Sequence, residues 1–313
     1  MRVIYQTNTE VFPACVATVG IFDGVHAGHR YLIEELKAVA KVQHLDSVVI
    51  TFAKHPRSVI NPEFKADLIT TLDEKIAQIE ITGVDACIVL DFSIEMAKLS
   101  AYEFLKTVLQ KQYNVQTLLV GHDHRFGHNR SEGFLEYQKY GKELGMELIQ
   151  ANRYKTYADT HISSSEIRLA ILNGDVELAN RMLTYPYRIR GKVIGGFKVG
   201  RKIGFPTANI ELENELKLVP SIGVYAVLVC WNKHYYKGML NIGLRPTLDN
   251  GNKISIEVHI IDFDQDIYNH SIEIDFISKI RDEKKFDGID ELIEQLRKDK
   301  MAVIEMDIQG FGS

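Results

Sequence analysis

The 313-residue sequence predicts an α/β domain followed by an all-β domain that closes on a helix. Three observations carry this. In the first half, short continuous apolar runs alternate with stretches whose apolar residues recur every three to four positions, the pattern of buried parallel strands joined by helices. After Tyr185-Pro186-Tyr187 the apolar period drops to two, the pattern of antiparallel strands. Glycine-rich segments stand at strand ends in both halves, where ligands bind in open parallel sheets. The boundary is expected between 184 and 185, giving domains 1–184 and 185–313. A chain of this length suits two cores better than one.

The elements follow in order. Residues 16–20 read as a strand, and Leu32, Ile33, Leu36, Val39 and Ala40 mark one face of the helix after it. Residues 48–52, 86–90, 117–120 and 146–149 read as further strands. Thr71 with Glu74, and Ser100 with Glu103, have the capping-box spacing that opens a helix. Phe134, Leu135 and Leu144 mark another helix. Ser163 and Glu166 repeat the capping pattern before a helix ending near Gly174, and a short helix follows over 175–183. Past the junction, residues 188–194, 223–229, 234–241, 253–263 and 272–277 read as strands of a small antiparallel barrel or sandwich. Ile254, Ile256, Val258 and Ile260 share one parity there. A final helix aligns Ile289, Leu292, Ile293 and Leu296 on one face. The halves differ in period, which argues against an internal duplication.

Composition narrows the function. With 37 basic and 42 acidic side chains the formal charge is −5, which gives no support for a nucleic-acid binder but leaves small anionic ligands open. Cys15, Cys87 and Cys230 are widely spaced, without disulfide or zinc-site pattern, as expected of a reducing compartment. No basic stretch followed by an apolar run appears near Met1, and no run approaches the ~20 apolar residues of a spanning helix. A cytoplasmic chain with no membrane partner and no obligate protein partner is expected.

Residues 18–30 join the first strand to the first helix. Gly20, Gly24 and Gly28 let backbone N–H groups approach a phosphate. His26 and His29, three apart at a helix opening, can donate to the same anion, helped by the positive end of the helix. Two plainer readings stay open on these residues: a glycine turn with solvated histidines, or a metal pair that lacks a third ligand. Residues 191–210 form the densest segment of the second half. Gly195, Gly196 and Gly200 permit a tight loop over phosphates, without the ending of a Walker loop. Thr207 and Asn209, two apart, would share a strand face and offer hard oxygens to a magnesium–nucleotide complex. A hairpin with glycine turns and a solvated Thr and Asn is the plainer alternative.

The exact strings resemble one family. Phe22-Asp23-Gly24-Val25-His26-Ala27-Gly28-His29 is similar to the FDGVHxGH box of bacterial bifunctional riboflavin kinase/FAD synthetases, a long form of the nucleotidylyltransferase HxGH motif. Val120 to Gly127, including Asp123, resembles the family's VGxDxxFG segment, with His124 at a position often aromatic. Ile162 to Arg168 resembles ISSTxIR, with Ser165 replacing the threonine but keeping its hydroxyl. Thr51 to Pro56 resembles TFxPHP, with Lys54 in place of a proline. In the second half, Gly200-Arg201-Lys202-Ile203-Gly204-Phe205-Pro206-Thr207-Ala208-Asn209 matches GRxxGFPTAN at every fixed residue. Residues 220–226, 241–247 and 257–263 resemble PxxGVYA, NIGxRPT and ExHxxDF, and Arg281 and Phe286 fall in the usual late segment.

The resemblance implies a Rossmann-like FMN adenylyltransferase domain, then a six-stranded antiparallel riboflavin-kinase barrel and a helix. It implies phosphorylation of riboflavin to FMN and adenylylation of FMN to FAD, with ATP as co-substrate and Mg2+ bound with it. His26, His29, Ser164, Ser165 and Arg168 would hold phosphates, and Gly20, Phe22, Asp23, Gly24, Gly28 and Asp123 would line the adenylyl-transfer site. Gly195, Gly200, Arg201, Gly204, Pro206 and Arg281 would line the kinase site, Thr207 and Asn209 would meet the metal, and Glu257 would be the general base. Two rivals are a chain retaining one of the activities, and a nucleotidylyltransferase with another acceptor, which would lack the GFPTAN string. A flavin sensor without turnover is a third, and it would need neither His29 nor Glu257.

Overall fold

The computed structural model describes residues 1–6, 12–122, 124–128, 132–154, 162–196, 199–246 and 252–306, so Asp123 and Thr247 lie outside the described residues. The chain forms two compact units, Met1–Ser163 and Ser164–Ser313.

The first unit is built on strands β1 (Arg2–Tyr5), β2 (Cys15–Val19), β3 (Asp46–Phe52), β4 (Ala86–Leu90), β5 (Val115–Val120) and β6 (Glu147–Gln150). They pair in parallel in the order β1-β4-β3-β2-β5-β6. Every residue of β2 and β4 is buried, the consequence of helices on both faces. The helices are α1 (Ala27–Gln43), α2 (Pro56–Ile60), α3 (Leu72–Ile81), α4 (Ile94–Lys98), α5 (Ala101–Glu103) and α6 (Phe134–Leu144). Both bonds of the capping box form at Thr71/Glu74 and at Ser100/Glu103. After Glu103 the helix widens into a π-helical stretch, Phe104–Gln112, that the 3.6 period does not foreshadow. Two apolar layers cover the sheet: Ile33, Leu36 and Ile79 on one face, Leu105, Leu109 and Tyr137 on the other.

Strand order fixes where a ligand sits. From β2 the chain moves outward through β3 in one direction, and β5 lies on the other side of β2. The carboxyl ends of β2 and β5 therefore flank the switch point of the sheet, the position at which ligands bind in open parallel sheets. The histidine-glycine turn leaves β2 there, and Gly121 and His122 leave β5.

The second unit opens with α7 (Ser164–Leu172) and α8 (Val176–Leu183), followed by β7 (Tyr187–Ile194), the single turn α9 (Val199–Lys202), β8 (Ala208–Leu212), β9 (Gly223–Trp231), β10 (His234–Pro246), β11 (Asn252–Ile260), β12 (Ser271–Arg281) and α10 (Ile289–Glu305). The strands close into a six-stranded antiparallel barrel in the order β10-β11-β8-β7-β12-β9. The barrel, not the sandwich, is what the alternating strands form. Asn232 and Lys233, both at positive φ, make the tight turn that joins β9 to β10. Leu240, Val258, Val229 and Ile274 meet across the register and are buried. On the other face of the strands, α10 covers Phe205, Ala226, Met239 and Ile261 with Val303.

By packing, α7 and α8 go with the barrel. The Asn180 side chain donates to Phe276 O at 2.8 Å and accepts from Tyr187 N at 2.7 Å. Gly174 turns left-handed (φ +79°) against Ser221 and Tyr225, where a Cβ would come within 2.3 Å of the serine hydroxyl.

Candidate active sites

In the first unit, the β2–α1 turn is held in a form few sequences adopt. Phe22 and Val25 have positive φ (52° and 35°), and both are buried. Such backbone persists only where its surroundings over-determine it. Here Asp23 supplies that restraint: its carboxylate accepts from Thr70 N and Thr70 Oγ1 at 2.9 and 3.0 Å and from Ile69 N at 3.2 Å. Gly24 N donates to Thr70 Oγ1 at 2.9 Å. Gly20 is required by close packing, since a Cβ would stand 2.9 Å from the Phe22 ring. Asp23, Phe22, Gly20 and Gly24 thus shape the turn.

His26 is the N-cap of α1; its Nδ1 accepts from His29 N at 3.4 Å. That bond leaves Nε2 as the protonated nitrogen, a donor. The His26 and His29 rings stack with centroids 3.6 Å apart and planes 18° from parallel, and the Phe22 ring meets His29 edge-on. Burial holds the His29 pKa well below the ordinary imidazole range, with the fields of His26, His124 and Lys75 acting in the same direction. His29 Nδ1 is buried with no hydrogen-bond partner among the described residues. The α1 first turn has no acidic residue, so nothing offsets the helix's positive end. Two stacked imidazoles over a helix N-terminus form a cradle that an anion would complete.

Ser164, Ser165 and Arg168 lie on the first turns of α7. By packing that helix belongs to the second unit, whereas the two histidines belong to the first.

In the second unit, Asn209 on β8 stands opposite Glu257 on β11 and Ile194 on β7, and Glu257 stands opposite Asn241 on β10. Residues directly opposite in antiparallel strands share a face, so Asn241, Glu257 and Asn209 form one polar row. Thr207, just before β8, donates from Oγ1 to Glu257 Oε2 at 3.3 Å. Asn209 is buried, and a Cβ on Gly196 would stand 2.1 Å from its amide nitrogen, so a side chain at 196 would have to displace that amide. A Cβ on Gly200 would stand 2.1 Å from Phe205 O, and Gly204 has φ +84°. Beyond Glu257 on the same face, His259 is buried and its Nδ1 donates to Pro206 O at 2.8 Å, fixing the approach to Thr207. Thr207 also lines a cavity of about 340 Å³, on the side of Ala208 and Val258, the strand neighbours of Asn209 and Glu257. Arg201, Pro206, Thr207, Val258, Phe263 and Tyr268 are among its lining residues, and its volume is at the lower end for small-molecule sites.

Comparison with known proteins adds to this geometry. A family model described as FAD synthetase matches residues 8–166, and one described as riboflavin kinase matches residues 183–306. The bifunctional riboflavin kinase/FMN adenylyltransferase of Bacillus subtilis (strain 168) is 41% identical over 304 residues, covering 92% of this chain and 91% of that protein. This chain belongs to the bifunctional riboflavin kinase/FMN adenylyltransferase family. Its relative from Escherichia coli (strain K12), of the same description, is 35% identical over 306 residues, 97% of this chain and 96% of its own. A crystal structure of a Streptococcus pneumoniae protein described as macrolide-efflux shares the fold, with TM-score 0.89 and 33% identity over 98% of this chain and 100% of its own. No helix among the described residues is long and apolar enough to cross a membrane.

Within the family frame, Arg281 is tied up: its guanidinium donates to both oxygens of the buried Asp299 on α10 (3.0 and 2.9 Å to Oδ2) and to Asp282 O. Motif reading missed the cavity residues Val193, Ile267 and Tyr268, which carry no motif letters, and it missed Lys75 on α3. The family's ATP chemistry implies magnesium. The hydroxyl of Thr207, the carboxamide of Asn209 and the carboxylate of Glu257 are hard oxygen donors on neighbouring positions, and they fit that ion.

Proposed function

We propose that residues 185–313 phosphorylate riboflavin and that residues 1–184 join the resulting FMN to AMP. The observation that carries the first step is the Thr207–Glu257–Asn209 arrangement, in which Thr207 also lines the 340 Å³ cavity. The ribityl alcohol is neutral and must lose a proton as its oxygen attacks the γ-phosphorus of ATP. Glu257 accepts that proton, the bond from the γ-phosphorus to the bridging oxygen breaks, and ADP leaves. The Gly195–Gly204 loop orients the phosphates with backbone N–H groups, and Arg201 adds charge at the cavity rim. Thr207 and Asn209 would hold magnesium, which when bound neutralises phosphate-oxygen charge.

For the second step the stacked histidines support the reading. The FMN phosphate is already anionic, so attack on the α-phosphorus needs no strong base, and pyrophosphate leaves. His26 donates from Nε2 and His29 takes up positive character as charge builds on the phosphates, with α1 directed at the same place. Ser164, Ser165, Arg168 and Asp123 are assigned to phosphate and flavin contacts in this step. The chain is placed in the cytoplasm, in keeping with three unpaired cysteines.

The test is incubation of the purified protein with riboflavin, ATP and magnesium, followed by chromatography. FMN is expected first, then FAD with pyrophosphate. A folded protein that converts neither riboflavin nor supplied FMN contradicts the reading.

A further inference from the structure

Among the described residues, Lys75 is a buried cation beside the histidine turn that no motif accounts for. It stands in the first turns of α3, after the Thr71 cap, and is 6% exposed. Its ammonium donates to Phe52 O at 2.8 Å and to Ile21 O at 3.2 Å. Phe52 ends β3, and Ile21 is the first residue after Gly20 in the β2–α1 turn, so a single group joins the carboxyl end of β3 to the turn that leaves β2. Thr51 Oγ1 donates to the same Ile21 carbonyl at 3.0 Å. The residues just before α3 hold Asp23 and Gly24. The segment 69–75 therefore grips the turn at three successive points: Ile21, Asp23 and Gly24.

A neutral clamp would do this mechanical work without the cost of a buried ammonium. Carbonyl oxygens are partners for the charge but leave it uncompensated. The charged or titratable groups whose fields reach Lys75 are Asp23 on the turn, Cys87 on β4 and His29 on α1. The Cys87 thiol is pushed up to about 12 by burial and stays neutral in the working range. Asp23 holds the backbone of Ile69 and Thr70 and offsets part of the Lys75 charge, while the Lys75 field still reaches His29. The remaining charge acts on the histidine cradle, where phosphates would arrive.

We propose, resting on the FMN adenylyltransferase reading, that Lys75 is a positioning residue for adenylyl transfer, fixing the histidine turn through Ile21 while its charge favours the phosphates bound beside His29. Burial holds its pKa down to about 8, against the opposing pull of Asp23. A cation required in the free enzyme makes kcat/KM fall as pH rises through its pKa, and kcat is less affected because bound phosphates favour the charged form. The experiment measures FAD formation from supplied FMN and ATP between pH 6.5 and 9.5, with FMN formation from riboflavin followed on the same preparation. For the unaltered protein, kcat/KM for ATP in adenylyl transfer is expected to decline above about pH 8, with a smaller decline in kcat. Lys75→Met is expected to lower adenylyl transfer at pH 7 on the order of 100-fold, to remove that decline, and to leave FMN formation within twofold. Lys75→Gln keeps a donor but no charge, so it too should lose activity and the decline; a merely structural clamp would be restored by it. A flat profile in an unaltered protein that makes FAD overturns the role of Lys75 alone, and needs no variant to fold. An unaltered protein that makes no FAD from FMN overturns the adenylyltransferase reading itself.

Discussion

His29 sits where a small change of charge does the most. Its stacked contact with His26 and its burial disfavour the imidazolium in the free protein. The sign of the consequence follows. The unfolded ring titrates near the ordinary value, about 6.5, while the folded ring refuses the proton. Stability from His29 is present above that pH and declines as pH falls below it, since only the unfolded chain gains the proton. Bound phosphate reverses the preference, so ATP binding should take up a proton between pH 6 and 7.5. Calorimetry in buffers of different ionisation enthalpy reads this directly. Uptake is expected in the unaltered protein and reduced in His29→Gln; equal uptake in both would remove His29 from the phosphate cradle. At this scale the placement of the candidate site residues was partly legible. His26, His29, Thr207, Asn209 and Glu257 lie within short strings whose spacing reports their geometry. Lys75 was not, because its two acceptors are 54 and 23 residues away in sequence. The bond of Arg281 to Asp299 was not legible either, because Asp299 lies 18 residues on, across a segment the string does not cover.

Elements determine how closely the loops approach these side chains. The 195–204 loop approaches β8 where Gly196 has no side chain over the Asn209 amide. Gly196→Ala should push loop and amide apart. We expect at least a tenfold loss in FMN formation, of the size seen when a reacting group is misplaced by about 1 Å. A higher magnesium requirement and unchanged FAD formation from FMN should accompany it. Normal kinase turnover with a normal magnesium curve would show that the loop does not depend on that contact. Strands with long alternating or continuous apolar patterns were read correctly, as were the capping boxes at Thr71/Glu74 and Ser100/Glu103. The misses have physical causes. β1 has four residues and a mixed burial pattern, too short for any period to register. The π-helical widening over Phe104–Gln112 leaves the helical face pattern intact. The extension of β12 to Arg281 passes through register shifts that break the alternation.

For the whole molecule, the account rests on two sites built by different physics: an anion cradle at the switch point of a parallel sheet, and, in a closed barrel, a carboxylate bonded to a threonine that lines a cavity. The change of apolar period at residues 185–187 showed that two folds follow one another, and the barrel begins there, at Tyr187. It did not reveal that α7 and α8 pack with the barrel, since that depends on Asn180 bonding to Phe276 and on the fit of Gly174 against Tyr225. If the sites are independent, FMN released by one copy of the chain can be used by another. The most direct measurement is therefore a mixing assay with His29→Ala and Glu257→Gln, both shown to be folded. His29→Ala alone should accumulate FMN from riboflavin and make FAD about 100-fold more slowly or worse. Glu257→Gln alone should make FMN ~100- to 10,000-fold more slowly, yet convert supplied FMN to FAD at a near-normal rate. Mixed together with riboflavin, ATP and magnesium, the two should restore FAD formation. Loss of both half-reactions in either variant, or a mixture that accumulates FMN and never makes FAD, would contradict the account.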